Sequence, residues 1–287
     1  MENMFYDELH EYFEANGIGC GTVSVLGMPV LEVKFASAGS YGLLYVIPAE
    51  IRSSSPEEAE EEYRARAAVK AALKASESSA GRNVRAVTVA EDLWRSRPEL
   101  FRARLLSHTG RFRSIFARNC EVRRIDRLSA NAFLDENHNY GAASCRYCFG
   151  LFEKGASGPA AVAAFSNARR WIKDGREIRS YEWVRYASAS GVRIPGGMGK
   201  ILARFIEEIR PDDIVSYADL EWSDGNVYRQ LGFSEDGFRK PVLFTVDPGD
   251  WRRKPCSALS SGSLWYMNEG SLKYRLKVSG YRDRVLR

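Results

Sequence analysis

Apolar residues recur at helical spacing just after residue 200, where five of them fall on one side of a helix. They are Ile201, Leu202, Phe205, Ile206 and Ile209. Pro211 ends this helix because proline has no N–H and its ring collides with the preceding turn. The stretch 181–187 is rich in aromatic and β-branched residues, which predicts a strand. The pattern therefore predicts a strand, a turn and an amphipathic helix in succession.

The same patterns predict elements along the rest of the chain. Helices are predicted over 7–15, 55–75, 98–107, 130–136 and 226–230, and strands over 22–26, 30–35, 41–47, 84–89, 145–152 and 213–219. The start at residue 55 is clear, since Ser55 is a cap, Pro56 takes the first helical position and two acids follow. Helices and strands in this order predict the α+β fold class, arranged in α/β layers.

Composition narrows the class of protein. The 287 residues are 45% hydrophobic and 28% charged, which predicts a soluble globular chain of one or two domains. No run of about 18 apolar residues occurs, and the acidic first residues do not predict a secretory leader. Five cysteines, an odd number, predict reduced thiols in a cytoplasm. Cys145 and Cys148 have the spacing of half a zinc site without a second pair, so we expect packing and no metal.

A glycine-rich turn separates the strand at 181–187 from the amphipathic helix. Gly196, Gly197 and Gly199 let the backbone approach a bulky ligand, and the helix start presents free N–H groups. Arg193 and Lys200 flank the turn and add charge-assisted hydrogen bonds. These features predict a phosphate or pyrophosphate site. The alternative is a turn whose glycines serve tight packing alone.

A second motif follows the helix. The strand over 213–219 leads through a turn to a short helix with Tyr228 and then to Gly232 and Phe233. Together with the glycine turn, this order resembles the GNAT acyltransferase fold. The resemblance implies a GNAT-like mixed-sheet domain that binds acetyl-coenzyme A or a related acyl-coenzyme A, with Tyr228 near the thioester sulfur. It assigns the pyrophosphate to Arg193, Gly196, Gly197, Gly199 and Lys200.

The family turn begins with Gln or Arg in the pattern Gln/Arg-x-x-Gly-x-Gly, and this chain departs from that pattern. Alignment on Gly197 and Gly199 puts Ile194 at the polar position. Alignment on Arg193 and Gly196 puts Met198 at the second glycine. Both registers stay open at this point.

A longer resemblance spans residues 87–240. The stretches EDLW (91–94), IFARNC (115–120) and FLDENH (133–138) resemble phage and mobile-element proteins that join a very-short-patch-repair-like domain to a GNAT-like domain. The runs 137–140 and 217–219 are similar, more loosely, to the Mom family, whose members modify adenine in DNA. These resemblances imply a restriction-endonuclease-like α+β domain over 1–118 and a GNAT-like domain with a basic extension over 119–287.

Such nucleases hold Mg²⁺ with an acid followed by Glu-x-Lys on a strand. Glu32 and Lys34 have this spacing on a predicted strand, but the only earlier acid on a plausible element is Asp7, within a helix. Alternation of polar and apolar residues produces Glu-x-Lys by chance in many strands. We therefore expect a DNA-binding domain that does not cut.

Basic residues cluster between 102 and 124, where seven arginines face one acid and phenylalanines are interleaved. Such a segment suits a phosphate backbone, with Arg111, Arg113 and Arg118 as candidate nucleic-acid contacts. The alternative is a solvated face. The C-terminal residues 273–287 are basic as well.

Three residues are candidates for catalysis. His138 follows a predicted helix and titrates near neutrality, so it suits a general base. Asp219 ends a central strand, and Tyr228 suits an acid that protonates the leaving thiolate. In the alternative interpretation, His138 caps a helix, Asp219 holds the turn after it and Tyr228 packs.

Two functions follow from these patterns. The first is a GNAT-type N-acyltransferase that uses acyl-coenzyme A, with DNA as a candidate acceptor. The second is a nucleic-acid-binding protein of phage or mobile-element origin whose GNAT-like domain is not catalytic. The sequence leaves the acceptor, the acyl group and the oligomeric state open.

Overall fold

The computed structural model describes residues 4–37, 40–79, 85–173, 175–256 and 262–278. The elements, in chain order, are α1 (Met4–Ala15), β1 (Gly19–Val25), β2 (Met28–Ser37), β3 (Ser40–Ala49), α2 (Pro56–Ser79), β4 (Arg85–Ala90), α3 (Glu91–Ser96), α4 (Pro98–His108), β5 (Arg113–Ser114), a 3₁₀ turn (Ala117–Asn119), β6 (Cys120–Arg124), α5 (Arg127–Asn137), β7 (Tyr147–Glu153), β8 (Ala161–Phe165), β9 (Arg169–Lys173), β10 (Arg176–Ser188), β11 (Val192–Arg193), α6 (Gly197–Ile209), β12 (Asp213–Asp219), α7 (Asn226–Gln230), β13 (Ser234–Arg239), β14 (Leu243–Val246), β15 (Arg253–Pro255), β16 (Leu264–Met267) and β17 (Ser271–Lys277). The part of the predicted basic C-terminal extension that follows residue 278 lies outside the described residues.

The chain forms two compact units. Unit 1 comprises Met1–Arg111, Asp219–Asp224 and Arg239–Ser271, and unit 2 comprises Phe112–Ala218, Gly225–Phe238 and Leu272–Arg287. The division predicted between residues 118 and 119 places 219–224 and 239–271 in the second domain. These two segments pack with the N-terminal residues instead, because buried charges join them across the sequence.

Unit 1 contains a four-stranded sheet in the order β1-β2-β3-β4, in which β3 and β4 are parallel and the other pairs antiparallel. The two faces of the sheet carry different helices, because strand side chains alternate. Leu31 and Val33 of β2 belong to a core cluster with α1, and Val30 belongs to a second cluster with Val69 and Leu73 of α2. This is a helix–sheet–helix arrangement.

The C-terminal segment of unit 1 forms a three-stranded sheet, β15-β14-β16. Buried ionic groups attach it to the N-terminal elements. Lys70 Nζ of α2 lies 2.6 Å from Glu269 Oε2, and Arg253 of β15 makes two hydrogen bonds to the Asp92 carboxylate of α3. Both carboxylates are buried, so each needs its cation as a partner.

Unit 2 is built on a mixed sheet in the order β13-β17-β12-β10-β8-β7-β6, with β9 paired to β10. Alternation along β8 again selects the two faces. Ala163 and Phe165 pack in a cluster with Phe205 of α6, whereas Ala164 packs with Leu134 of α5. The rings of Phe165 and Phe205 stack with centroids 3.9 Å apart. The predicted α+β fold class is confirmed by these layers.

Helix α2 continues past the predicted end at residue 75, to Ser79. Its last turn is fixed by Glu77, which is buried and accepts a hydrogen bond from Tyr45 Oη at 3.1 Å. The helical pattern weakens there because serines and a glutamate replace apolar residues, so sequence alone does not predict the extra turn.

Candidate active site

The sheet of unit 2 opens between β10 and β12. These parallel strands pair only from Ser180 to Glu182 and from Asp213 to Val215. Beyond this short ladder β10 continues to Ser188 and β12 to Asp219, and no further ladder pair joins them in the described residues. Next to the opening, a register irregularity between Trp183 and Arg185 interrupts the pairing of β10 with β8. The opening leaves backbone groups of the two strands unpaired with each other beyond the ladder.

The glycine turn lies after β10 and leads into α6. Gly196 is the N-cap residue with φ +78°, a left-handed conformation that favours glycine. Lys200 N–H donates to Gly196 O, and Gly197 N–H donates to Ile194 O. The N–H groups of Met198 and Gly199 meet no acceptor among the described residues. Two free amides at the start of a helix suit an anion.

The glycines also serve close packing. A Cβ on Gly197 would lie 3.0 Å from Cδ1 of Leu151, and a Cβ on Gly199 would lie 3.3 Å from Cδ2 of Leu231. Both built Cβ atoms point into the protein. Tight packing therefore explains the glycines on the inner side of the turn, and anion binding concerns the amides on its other side. The residues present fit a pyrophosphate through their backbone.

The two cations predicted to flank the turn have different environments. Lys200 Nζ donates to the carbonyl oxygens of Ala117 and Cys120, the first at 3.0 Å. It thereby joins the 3₁₀ turn to α6. Arg193 is exposed, and its guanidinium carbon lies 5.1 Å from the centre of the Phe112 ring. The assignment of both to a cofactor stays a prediction.

Tyr228 of α7 is partly buried and packs against the core of unit 2, beside β12. Its hydroxyl lies 2.9 Å from Ser216 Oγ, and Ser216 Oγ lies 3.0 Å from Trp183 O of β10. Burial raises the pKa of Tyr228, and the Ser216 hydrogen bond acts in the opposite direction. A phenol with a raised pKa stays protonated at neutral pH and can act as an acid.

Tyr274 of β17 packs against the Tyr228 ring. The rings of Tyr228 and Tyr274 stack with centroids 5.3 Å apart, and Arg229 Nη1 donates to Tyr274 Oη at 2.7 Å. Gly225, with φ +77°, admits the Tyr274 ring, because a Cβ there would lie 2.5 Å from Tyr274 Cζ. Sequence reasoning missed Tyr274, since a tyrosine in a basic strand carries no distinguishing pattern.

His138 is the C-cap residue of α5, and its Nδ1 accepts a hydrogen bond from Tyr140 N–H at 3.1 Å. The ring therefore carries its proton on Nε2 when neutral. The preceding Asn137 accepts from Ser190 N–H at 2.8 Å, which brings this segment to the loop between β10 and β11. His138 thus lies near the loop that leads to the glycine turn.

Asp219 belongs to unit 1, whereas His138 and Tyr228 belong to unit 2. Its Oδ1 accepts from Glu221 N–H at 3.0 Å, and its carbonyl accepts from the N–H groups of Trp222 and Ser223. These bonds fix the turn that follows β12. A catalytic role for Asp219 stays a prediction.

The three candidate nucleic-acid arginines are engaged within the protein. Arg111, in unit 1, donates to Asn16 O and Gly17 O. Arg113 Nη1 lies 3.0 Å from Glu153 Oε2, and the Arg118 guanidinium carbon lies 4.9 Å from the centre of the Phe116 ring. All three side chains remain exposed, and only Arg113 is paired with an acid among these contacts.

The predicted Glu-x-Lys motif lies on β2. Lys34 Nζ lies 2.9 Å from Glu32 Oε1, and Tyr45 Oη lies 3.4 Å from Glu32 Oε2 and 3.1 Å from Glu77 Oε1. Burial and the two carboxylates raise the pKa of Tyr45 to about 12. Glu77 is a second carboxylate that sequence reasoning missed, because it lies on a different element.

Cys145 and Cys148 are both buried beneath α5, with their Sγ atoms 3.3 Å apart. Burial and the neighbouring thiol raise the pKa of Cys148 to about 12, so the thiolate that a metal requires is disfavoured. In the described part of the chain no group of three or more His, Cys, Asp or Glu side chains is arranged to hold a metal ion. None of the described helices combines the length and apolarity needed to cross a membrane.

No protein-family model matches the chain, and no curated protein sequence matches it. Among solved structures, the chain is similar to a GNAT-family acetyltransferase from Bacillus anthracis, with 10% identity, 55% of this chain and 95% of that chain covered, and a TM-score of 0.32. It is similar to a spermidine N-acetyltransferase from Vibrio cholerae, with 11% identity, coverage of 58% and 98%, and a TM-score of 0.37. It is also similar to a Salmonella typhimurium protein assigned as an acetyltransferase and solved with acetyl-coenzyme A, with 14% identity, coverage of 59% and 99%, and a TM-score of 0.36.

Proposed function

We propose that unit 2 is an N-acyltransferase of the GNAT type that uses acetyl-coenzyme A or another acyl-coenzyme A. The observation that carries the proposal is the opening between β10 and β12 in one sheet. Two unpartnered amides of α6 follow the β10 side of this opening, and the Tyr228 phenol lies on the β12 side. Free amides at a helix start suit the pyrophosphate of such a cofactor, and a phenol suits the protonation of its leaving thiolate.

The cofactor would be held through its pyrophosphate by the N–H groups of Met198 and Gly199, with the α6 dipole favouring negative charge. The exposed Arg193 adds a cation nearby. When bound, the thioester supplies an electrophilic acyl carbon. Lys200 contributes to this site by fixing the 3₁₀ turn against α6.

Acyl transfer then needs one proton removed and one supplied. His138 takes the proton of the attacking amine, once Nδ1 releases the Tyr140 amide, and Tyr228 gives a proton to the departing sulfur. Asp219 is the alternative base. Orientation of the two reactants in the opening supplies the rest of the acceleration.

The test is calorimetric titration of the protein with acetyl-coenzyme A, beside two variants of one residue. Arg193→Glu replaces the exposed cation beside the turn with a carboxylate that repels a pyrophosphate. Arg193→Gln removes the charge without reversing it. We expect micromolar binding by the parent protein, a loss of a few-fold in the Gln variant, and a loss of at least about tenfold in the Glu variant.

Two results would contradict the proposal. The first is absence of binding at millimolar acetyl-coenzyme A. The second is equal binding by the Glu and Gln variants, which would move the ligand away from the glycine turn. His138→Ala and Tyr228→Phe then test the catalytic roles, because each should slow transfer without abolishing cofactor binding.

DNA is the acceptor that we propose, as in the Mom-like resemblance. Ala117 N–H donates to Pro195 O, so the exposed cation of Arg118 follows directly after a residue that contacts the glycine turn. A cation at this place suits a phosphate backbone. Incubation with acetyl-coenzyme A and DNA, followed by mass spectrometry of the released nucleosides, tests the acceptor. Modification of a polyamine but not of DNA would refute it.

A nucleic-acid-binding role of unit 1 is a second candidate. The observation that favours it is the four-stranded sheet β1-β2-β3-β4 between α1 and α2, with Glu32 and Lys34 on β2. We propose a restriction-endonuclease-like unit that binds DNA without cutting it. Plasmid nicking with Mg²⁺ or Mn²⁺ that disappears in Glu32→Ala would overturn this proposal.

A further inference from the structure

Ser216 is the first residue of β12 beyond the ladder with β10, and its side chain is buried. Its hydroxyl joins two strands and a helix, because Oγ lies 3.0 Å from Trp183 O of β10 and 2.9 Å from Tyr228 Oη of α7. A lone buried serine in an apolar strand costs stability unless both its donor and its acceptor are used. Here both are used at the point where the sheet opens.

The single hydroxyl proton of Ser216 decides the direction of these bonds. Trp183 O can only accept, so in the resting state Ser216 donates to Trp183 O and the Tyr228 phenol donates to Ser216 Oγ. If the phenol loses its proton, Ser216 can rotate about Cβ–Oγ and donate to the phenolate instead. Hydrogen bonds to a charged oxygen are about twice as strong as neutral ones, which favours this exchange.

We propose that Ser216 is a positioning residue that holds the Tyr228 ring and stabilises its phenolate during acyl transfer. This rests on the proposed function, since Tyr228 is the acid in that reaction. In the step concerned, the amine nitrogen forms a bond to the acyl carbon and the carbon–sulfur bond breaks. Its electron pair goes to sulfur, the Tyr228 proton follows it, and the amine proton goes to the base. Solvent then returns a proton to the phenolate.

The groups that surround Tyr228 identify Ser216 as the donor to its phenolate. The titratable group packed on the ring is Tyr274 of β17, whose hydroxyl accepts a hydrogen bond from Arg229. Phe233 contacts the ring at its edge with centroids 5.5 Å apart. On β10 the facing group is the uncharged Trp183 carbonyl. Ser216 is therefore the hydrogen-bond donor that the structure offers to the phenolate within these contacts.

The test compares Ser216→Ala with Ser216→Thr, which keeps a hydroxyl, in steady-state acyl transfer over a range of pH. We expect Ser216→Ala to lower kcat about tenfold with KM for acetyl-coenzyme A unchanged. We expect the alkaline limb of its pH profile to move to higher pH, because the phenolate loses a donor. Ser216→Thr should restore both. In a Tyr228→Phe background, Ser216→Ala should have no further effect.

An activity-independent measurement separates this inference from the proposed function. Tyrosinate absorbance, taken as the difference between the parent protein and Tyr228→Phe, reports the titration of this phenol alone. The same difference in the Ser216→Ala background should titrate at higher pH. An unchanged titration overturns the role of Ser216 whether or not acyl transfer occurs. A shifted titration with no transfer to any acceptor overturns the proposed function and leaves the hydrogen-bond exchange standing.

Discussion

Substitution of Gly225 by alanine should disturb the packing of the Tyr274 ring against Tyr228. Gly225 precedes α7 and has φ +77°. A Cβ at this position would lie 2.5 Å from Cζ of Tyr274, with Cε2 and Oη nearer still. The Tyr274 ring is fully buried, stacked on Tyr228 and held by Arg229, so it has no free direction in which to move.

Two costs add in this variant. A left-handed conformation costs an alanine about 1 kcal/mol relative to glycine. Overpacking of a rigid core position costs about 2 kcal/mol more, since the ring has to shift by roughly 1 Å to reach an ordinary contact. We therefore expect unit 2 to lose about 3 kcal/mol of unfolding free energy.

Gly232→Ala is the matched control. Gly232 also has a positive φ, +85°, but its nearest atom to a built Cβ is Leu276 Cδ1 at 3.7 Å. Gly232→Ala carries the cost of the left-handed backbone without the steric clash, so we expect a loss of about 1 kcal/mol of unfolding free energy. The difference between the two variants isolates the contact with Tyr274.

Amide hydrogen exchange read by mass spectrometry is the suitable assay, because peptides within 213–218 and 272–277 lie in unit 2. Native-state exchange under urea converts protection into free energy for each peptide. Equal losses in Gly225→Ala and Gly232→Ala would refute the reasoning, since the Tyr274 ring would then yield at no cost.

Three further predictions concern other parts of the chain. Glu221 is buried and its pKa is raised to about 7 by burial, against the attraction of Arg253, so its ionisation opposes folding. The stabilisation is therefore fully present below the pKa that Glu221 has in the unfolded chain, and about 3 kcal/mol of unfolding free energy is lost as pH rises through about 7. Glu221→Gln should flatten the dependence of the unfolding free energy, measured by urea denaturation, on pH between 5 and 8. A pH dependence parallel to that of the parent protein would contradict this. Lys200→Met should lower the free energy of unfolding by about 2 kcal/mol and speed amide hydrogen exchange at residues 117–120, because two carbonyls lose a charged donor. Lys200→Arg keeps a charged donor and should retain part of the stabilisation. Asp126→Ala should destabilise α5 by about 1 kcal/mol, seen as faster exchange in 127–137, because Asp126 accepts from Ser129 N–H, whereas Asp126→Asn keeps the cap and should change little.

Local patterns in the sequence predict much of the secondary structure. The five apolar residues of α6 form a helix whose Ile201, Leu202 and Phe205 are buried in the core of unit 2. Glu32 and Lys34 lie on a strand as their alternation predicts, and His138 ends a helix. These features depend on hydrogen bonds and side-chain periodicity within a few residues, which a sequence contains directly.

Partners distant in the sequence could not be predicted in this way. The sequence does not show that the Lys200 ammonium donates to the carbonyls of Ala117 and Cys120. The proximity of Ser216 to Tyr228 depends on how α7 packs over β12, and a single serine carries no pattern that shows this. Three-dimensional packing chooses such partners by shape and by the need to satisfy buried polar groups.

The sequence by itself determined the α+β class, the glycine turn before an amphipathic helix and the tyrosine of α7, because each is a local pattern. Only the tertiary structure decided which unit each segment joins. Residues 239–271 lie with the N-terminal half because Glu269 meets Lys70 and Arg253 meets Asp92 in the interior of unit 1. A buried charge requires an opposite charge within reach, and reach is a property of the folded chain rather than of sequence distance.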